Sequence, residues 1–373
     1  MNHRELKSEV PKVGFDSGPL SGSPNCASFE QSVNYYLALR SYQVRCFLQW
    51  AKVIRARAAK EPLFIDFDET AMKFNYAKLK GLIISKKHLP PGKKHRKEQI
   101  SAAEAKASVS FLAFISADPS VQGKLPQVIL GNTHKLTAAL VAELAPPENF
   151  HTWREESGWV NKKMMTRALT LLAKYLKDVM LTRQDVLVMD TVSAHLAQSV
   201  FAYANRLNII VMFVPAQLTP LLQPADTHRF GKLKRRLKQR WLQLRVQDEN
   251  GKVPHKLWLA AVFEVCRDVM CTTSWQAAFA SAGLLGEHVS DRVLKRAGWE
   301  ALPPISAELP SCEQLASVFP RGKIILSRRA SLFRFCCPVA KAKTKAKAKA
   351  KAKVMALSAE ASTAAHALAP NVD

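Results

Sequence analysis

Three aspartates stand in contexts that suit binding of divalent cations. Asp68 lies in "PLFIDFDET", Asp190 in "DVLVMDTVSAH" and Asp226 in "PLLQPADTHRFGKLKRR". Each closes or opens a segment that reads as a strand end or a helix start. Three carboxylates gathered on a strand-helix scaffold can hold two divalent cations, the minimum equipment for cutting or joining a phosphodiester backbone. Taken singly, the residues have plainer roles: Asp68 is an acid exposed at a strand end, and Asp226 is the N-cap of the helix that follows it. In an extended strand Phe64, Asp66 and Asp68 share one face while Ile65 and Phe67 share the other. Asp66 therefore sits beside Asp68, supporting it or standing in its place, and Glu69 points away. His195 falls in the first turn of a helix that Ser193 can cap. Its plain reading is a local hydrogen bond, and the alternative is a supporting part in the chemistry.

The elements that position these residues follow from hydrophobic periodicity. Ser28 and Gln31 form a capping box that opens a helix over about 29–59. Residues 62–67 read as a buried strand. Two further strands, 108–116 and 125–131, flank "ADPSVQGK" and make an antiparallel hairpin. A helical period covers 159–180, followed by a strand at 185–190, a helix at 194–206, a strand at 208–214 and a helix from 226 to about 245. The 36 positions between Asp190 and Asp226 fit one crossover helix, one parallel strand and a loop, which returns the chain to the same end of the sheet. The sum is a mixed sheet with helices on its faces. Residues 255–271 read as another amphipathic helix, and Thr273 with Gln276 cap a short helix that ends at Gly283.

The helix after Asp226 carries a buried stripe of Leu233, Leu237, Trp241 and Leu244. Lys232, Lys234, Arg235, Arg236, Lys238, Arg240 and Arg245 cover the rest. A charge run is usually a solvated face, but one this dense beside a metal-binding acid suits a phosphate backbone. The whole chain of 373 residues has a formal charge of +25. The Lys/Ala-rich end does not account for it, since residues 341–373 hold seven lysines against Glu360 and Asp373. Such a field favours polyanions, with nucleic acid first and an acidic membrane surface second. The apolar runs are too short to span a bilayer. Seven scattered cysteines without a CxxC pair read as reduced thiols of an intracellular protein.

The segments "FDET", "LVMDTVSAH" and "VPAQLTPLLQPADTHRFGKLKRR" together resemble the DDE-type transposase/endonuclease superfamily, in the branch of pogo, jerky and centromere protein B. The third segment is the most specific. The resemblance runs from about 61 to 245 and more weakly to about 285. It implies a ribonuclease-H-like α/β fold with extra C-terminal helices and disordered ends. It also implies a catalytic, metal-binding triad of Asp68, Asp190 and Asp226, with two Mg²⁺ or Mn²⁺ ions. Asp66 and His195 are expected to support the triad. Lys232, Lys234, Arg235, Arg236 and Lys238 are expected on the DNA backbone, in a nuclear protein that works as a homodimer.

Three departures from the family pattern stand out. Asp66 occupies a position usually held by Asn, the third motif continues as "THRFG", and only about 60 residues precede the first motif where helix-turn-helix domains are usual. The expected organisation is a disordered leader at 1–28, a helical segment at 29–60 that is a remnant of a DNA-binding domain, and a catalytic core at 61–245. A helical extension at 246–300, an irregular stretch at 301–338 and a disordered Lys/Ala-rich tail at 339–373 complete it. The competing reading is a domesticated, non-catalytic DNA- or chromatin-binding protein. A weaker one is a protein that binds or cuts RNA on the same fold.

Overall fold

A computed structural model describes residues 29–76, 82–84, 96–98, 107–144, 146–228, 230–247, 253–271 and 274–308. The expected leader, the Lys/Ala tail and most of the irregular stretch lie outside these residues.

A 13-residue strand, β1 (Glu61–Lys73), organises the molecule. Its stretch Leu63–Asp68 is buried on both faces, as a central strand with helices on either side requires. A short antiparallel pair follows, β2 (Leu82–Ile84) with β3 (Arg96–Glu98). Next come β4 (Ser108–Ser116), the short helix α2 (Pro119–Gln122) and β5 (Gln127–Asn132). Helix α3 (Ala138–Glu143), β6 (Phe150–Glu155), helix α4 (Lys162–Tyr175) and β7 (Arg183–Met189) follow. Then the chain forms α5 (Gln198–Arg206), β8 (Ile210–Phe213), α6 (Thr219–Leu222), α7 (Pro224–His228) and α8 (Phe230–Gln247).

The main sheet has six strands in the order β6-β5-β4-β1-β7-β8. β4 runs antiparallel to β1 and to β5, whereas β7 is parallel to β1 and β8 parallel to β7. This is the ribonuclease-H-like mixed sheet that the motifs implied. The expected hairpin forms as β4 and β5, with α2 built into its turn. Asp118 caps that helix by accepting from the Ser120 N–H at 2.8 Å.

Several local expectations needed correction. β1 continues six residues past the apolar run, because "DETAMK" pairs with β4 as far as Lys73↔Ser108. Asp68 is therefore interior to a central strand and buried, and is not an acid exposed at a strand end. The strand β6, parallel to β5, was not foreseen. α5 begins at Gln198, so His195 precedes it, and Ser193 does not cap it: the cap position is Ala197. Asp226 is the third residue of α7, inside the helix and not at its N-cap.

The C-terminal third closes the fold. α9 (His255–Cys266) ends in a π-helical turn, Arg267–Cys271, and is followed by α10 (Gln276–Ser281) and α11 (Asp291–Ala297). The first helix, α1 (Phe29–Arg57), buries Val44, Phe47, Trp50, Ala51 and Ile54 in the same core as the sheet. Its polar side is strapped by the segment after α10. Arg55 donates to the carbonyls of Gly283, Leu284 and Gly286, and Lys52 donates to that of Ile305. Trp299 Nε1 donates to Ser41 Oγ at 2.7 Å. No helix among the described residues is long and apolar enough to cross a membrane.

Candidate active site

The register of the two central strands explains how the first two acids meet. β1 and β7 pair in parallel as Ile65↔Leu187 and Asp66↔Val188. Two residues further along the same register, Asp68 comes level with Asp190, where β7 has just ended. Beyond that point β1 has no strand on the β7 side among the described residues, and Glu69 meets the loop 190–197 instead. Glu69 uses this opening. Its Oε1 lies 3.0 Å from His195 Nε2, while His195 Nδ1 lies 2.6 Å from Asp190 Oδ1. The Glu69 N–H also donates to Asp68 Oδ1 at 2.8 Å.

His195 thus bridges the first two motifs. Its ring is buried edge-on to Phe67, with centroids 5.6 Å apart. Burial alone lowers its pKa, but the hydrogen bonds and charges of Asp190 and Glu69 raise it to about 10. The bridge is a buried ring whose protonated form both acidic partners favour. The plain reading of His195 as a local helix-start residue is replaced by a contact that spans 126 residues of sequence. Glu69, expected only to point away from Asp68, is the partner that sequence reasoning missed. Its signal was present: in a strand with Asp68 on one face, Glu69 must take the other.

The third acid is brought in through backbone. The Ala225 N–H donates to Asp66 Oδ2 at 2.8 Å, and Gln223 Nε2 donates to the Phe67 carbonyl at 3.2 Å. These bonds seat the start of α7, which bears Asp226, on β1. The electrostatics record the convergence. Burial, then Asp66, Asp226, Glu69 and Asp190, push the Asp68 carboxyl well above the usual carboxylate range. Burial pushes Asp66 up to about 8 against the Ala225 and Gln223 hydrogen bonds, with Asp226 and Asp190 adding to the rise. Partial burial also raises Asp226, Lys234 pulls it down, and Asp190 raises it again.

Asp66, Asp68, Asp190 and Asp226 therefore repel one another in one place, and Asp66 Oδ1 is buried without a hydrogen-bond partner among the described residues. Uncompensated negative charge of this kind is costly. An all-carboxylate donor set is the chemistry that hard divalent cations take. Among the described residues, however, no three Asp, Glu, His or Cys side chains are gathered closely enough to form a ready metal cage.

The basic helix stands next to this cluster. On α8, Lys232, Lys234, Arg235, Arg236 and Lys238 are all exposed, opposite the buried Phe230, Leu233, Leu237 and Trp241. Two cations of the expected run have other work. Arg245 is buried with its guanidinium 4.7 Å from the Trp241 ring centroid, and Arg240 pairs with Glu264 at 3.3 Å.

The sequence profile described as "DDE superfamily endonuclease" matches residues 109–280. Asp190 and Asp226 lie inside that match, and β1 with Asp68 lies before it. No curated protein is significantly similar to the chain. Among solved structures, the chain is similar to a Mos1 transposase paired-end complex with the left transposon end. The identity is 15% and the TM-score 0.36, over 74% of this chain and 68% of that one. The catalytic domain of Mos1 mariner transposase is similar at 14% identity and a TM-score of 0.32, over 70% of this chain and 98% of that one.

Proposed function

We propose, for a chain whose residues 109–280 match the DDE superfamily endonuclease profile, that it cleaves and transfers DNA strands through Asp68, Asp190 and Asp226. The observation that carries this reading is the parallel register that brings Asp68 level with Asp190 at the end of β7, with the helix of Asp226 tied to β1 through the Ala225 N–H and Asp66. Asp68, Asp190 and Asp226 would hold two Mg²⁺ or Mn²⁺ ions, which when bound supply activation of the attacking water or 3′-hydroxyl and neutralisation of the leaving oxygen.

The chain's own residues supply the rest. His195 fixes the orientation of Asp190 and, through Glu69, ties it to the strand that bears Asp68. Asp66 and Gln223 hold α7 against β1. Lys232, Lys234, Arg235, Arg236 and Lys238 meet phosphates and read no bases. Placement in the pogo, jerky and centromere protein B branch, a nuclear location and a working homodimer belong to the same proposal, supported by the literal third motif and the basic charge.

The test is nicking of supercoiled plasmid by the purified full chain with Mg²⁺ or Mn²⁺. Nicking is expected with the wild type and is lost in Asp190→Ala. Equal nicking by that variant, or salt-sensitive DNA binding with no nicking by the wild type, would overturn the reading.

A further inference from the structure

Trp159 is the outlier among the tryptophans. Of seven tryptophans, Trp50, Trp153, Trp241, Trp258 and Trp275 are buried and Trp299 is half-buried, whereas Trp159 is 72% exposed. An indole left in water forgoes the stabilisation that burying its large apolar surface would bring.

The exposure is not a consequence of a loose loop. Residues 156–161 are pinned to the sheet from several sides. The Thr133 N–H donates to the Glu155 carbonyl at 3.2 Å, and Asn132 Nδ2 donates to that of Glu156. Ser110 Oγ donates to the Gly158 carbonyl at 3.3 Å, and the Trp159 N–H donates to Ser157 Oγ at 3.2 Å. Gly158 has φ +63, where a side chain is strained, and a Cβ there would stand 3.1 Å from the Asn132 nitrogen. Asn161 then accepts from the Met164 N–H at 3.0 Å and starts α4. The backbone is over-determined and the ring is held outward.

The position and surroundings select a partner. The pairings Lys73↔Ser108, Ser110↔Leu130 and Asn132↔Glu155 carry the register from β1 across to β6. They put Trp159 at the end of the sheet toward which β1 and β7 run, the end that bears the carboxylates. Lys135, Arg154, Lys162, Lys163 and Arg167 are exposed on the flanking segments, against Glu155 and Glu156. Lys163 lies 4.0 Å from Glu155, Arg154 donates to the Leu136 carbonyl and Arg167 stacks on Trp153, while Lys162 stands at the start of α4. An exposed indole in a cationic field matches the stacking-plus-backbone mode of single-stranded nucleic acid binding. We infer that Trp159 stacks on an unpaired base of the DNA substrate, with Lys162 and Lys163 on the adjoining phosphates. This inference rests on the DNA-cleaving reading above and adds a single-strand contact to it.

The test uses the full chain and two DNAs of one sequence, a blunt duplex and a duplex with a single-stranded tail carrying 2-aminopurine. Heparin serves as a polyanion without bases. Because the ring is exposed, Trp159→Ala and Trp159→Phe keep the fold. The wild type is expected to bind the tailed DNA more tightly and to quench 2-aminopurine fluorescence. Trp159→Ala should lose about tenfold in Kd for the tailed DNA only and most of the quenching. Trp159→Phe should recover most of both, and heparin binding should not change. Equal binding and quenching by wild type and Trp159→Ala would overturn this inference and leave the DNA reading standing. So would a loss of self-association in Trp159→Ala with DNA binding intact, which would make the ring a contact between copies. A wild type that binds neither DNA overturns both.

Discussion

At the scale of single residues, the charge bridge Glu69–His195–Asp190 is the most consequential contact. Removing the imidazole leaves two carboxylates facing each other across the space it filled. Breaking a buried ion pair costs about 3–5 kcal/mol, more than an ordinary hydrogen bond contributes. His195→Ala is therefore expected to lower unfolding stability by roughly that amount, and Glu69→Gln by less, because an amide still offers an acceptor. Urea titration of the two variants checks this, and an unchanged midpoint for His195→Ala would sink the bridge. Asp185 offers a cleaner pH signature, away from the acid cluster. It is buried on β7, neither carboxyl oxygen has a hydrogen-bond partner among the described residues, and burial pushes it up to about 7 against the pull of Arg183. A carboxyl whose folded pKa lies above its unfolded value of about 3.9 keeps its proton only in the folded chain between those values. Its stabilising effect is complete below pH 4 and is lost as pH rises to 7. Asp185→Asn should thus be more stable than the wild type at pH 8, by on the order of 2–4 kcal/mol, and no more stable at pH 4. Thermal unfolding at the two pH values measures the difference.

At the scale of elements, the strap over α1 makes a sharp structural demand. Gly283 ends α10 with φ +74, and a Cβ there would lie 2.2 Å from Leu48 Cδ2 of α1. Gly283→Ala combines backbone strain with overpacking and is expected to cost about 1–3 kcal/mol. Gly286→Ala, with open space around it, should be near neutral. Denaturant unfolding of the pair separates a strap that is packed from one that merely lies alongside. The same scale shows what the sequence could carry. β7, α5 and β8 were legible because each is an uninterrupted apolar or amphipathic run between turn residues, and the 36-residue interval followed from them. β6 was not, since "FHTWRE" has neither an apolar run nor a strict alternation and takes its strand form from pairing with β5. The polar end of β1 was hidden for the same reason, and with it the burial of Asp68. The same-face relation of Asp66 and Asp68 was readable from strand parity. The Ala225 N–H that holds Asp66 was not, because a backbone donor leaves no mark on residue type.

At the scale of the whole molecule, charge and fold divide the work. Stability comes from one core that joins the sheet, α1 and the C-terminal helices, while the excess of cations is carried on the surface. Lys232, Lys234, Arg235, Arg236 and Lys238 are exposed on α8, so their loss should leave the fold untouched. If each meets one phosphate, each also releases about 0.9 of a counterion on binding duplex DNA. Replacing all five by Gln is then expected to flatten the slope of log K against log salt by about 4.5, with the unfolding temperature unchanged. Of the five, Lys234 has a second effect, because it alone is coupled to Asp226 and pulls that carboxyl down. Lys234→Gln should therefore move the acid limb of the nicking-rate profile to higher pH, whereas Lys238→Gln should shift only the salt slope. Titrating binding against salt and nicking rate against pH, for each single variant, distinguishes a helix that only gathers DNA from one that also sets the charge of the third acid.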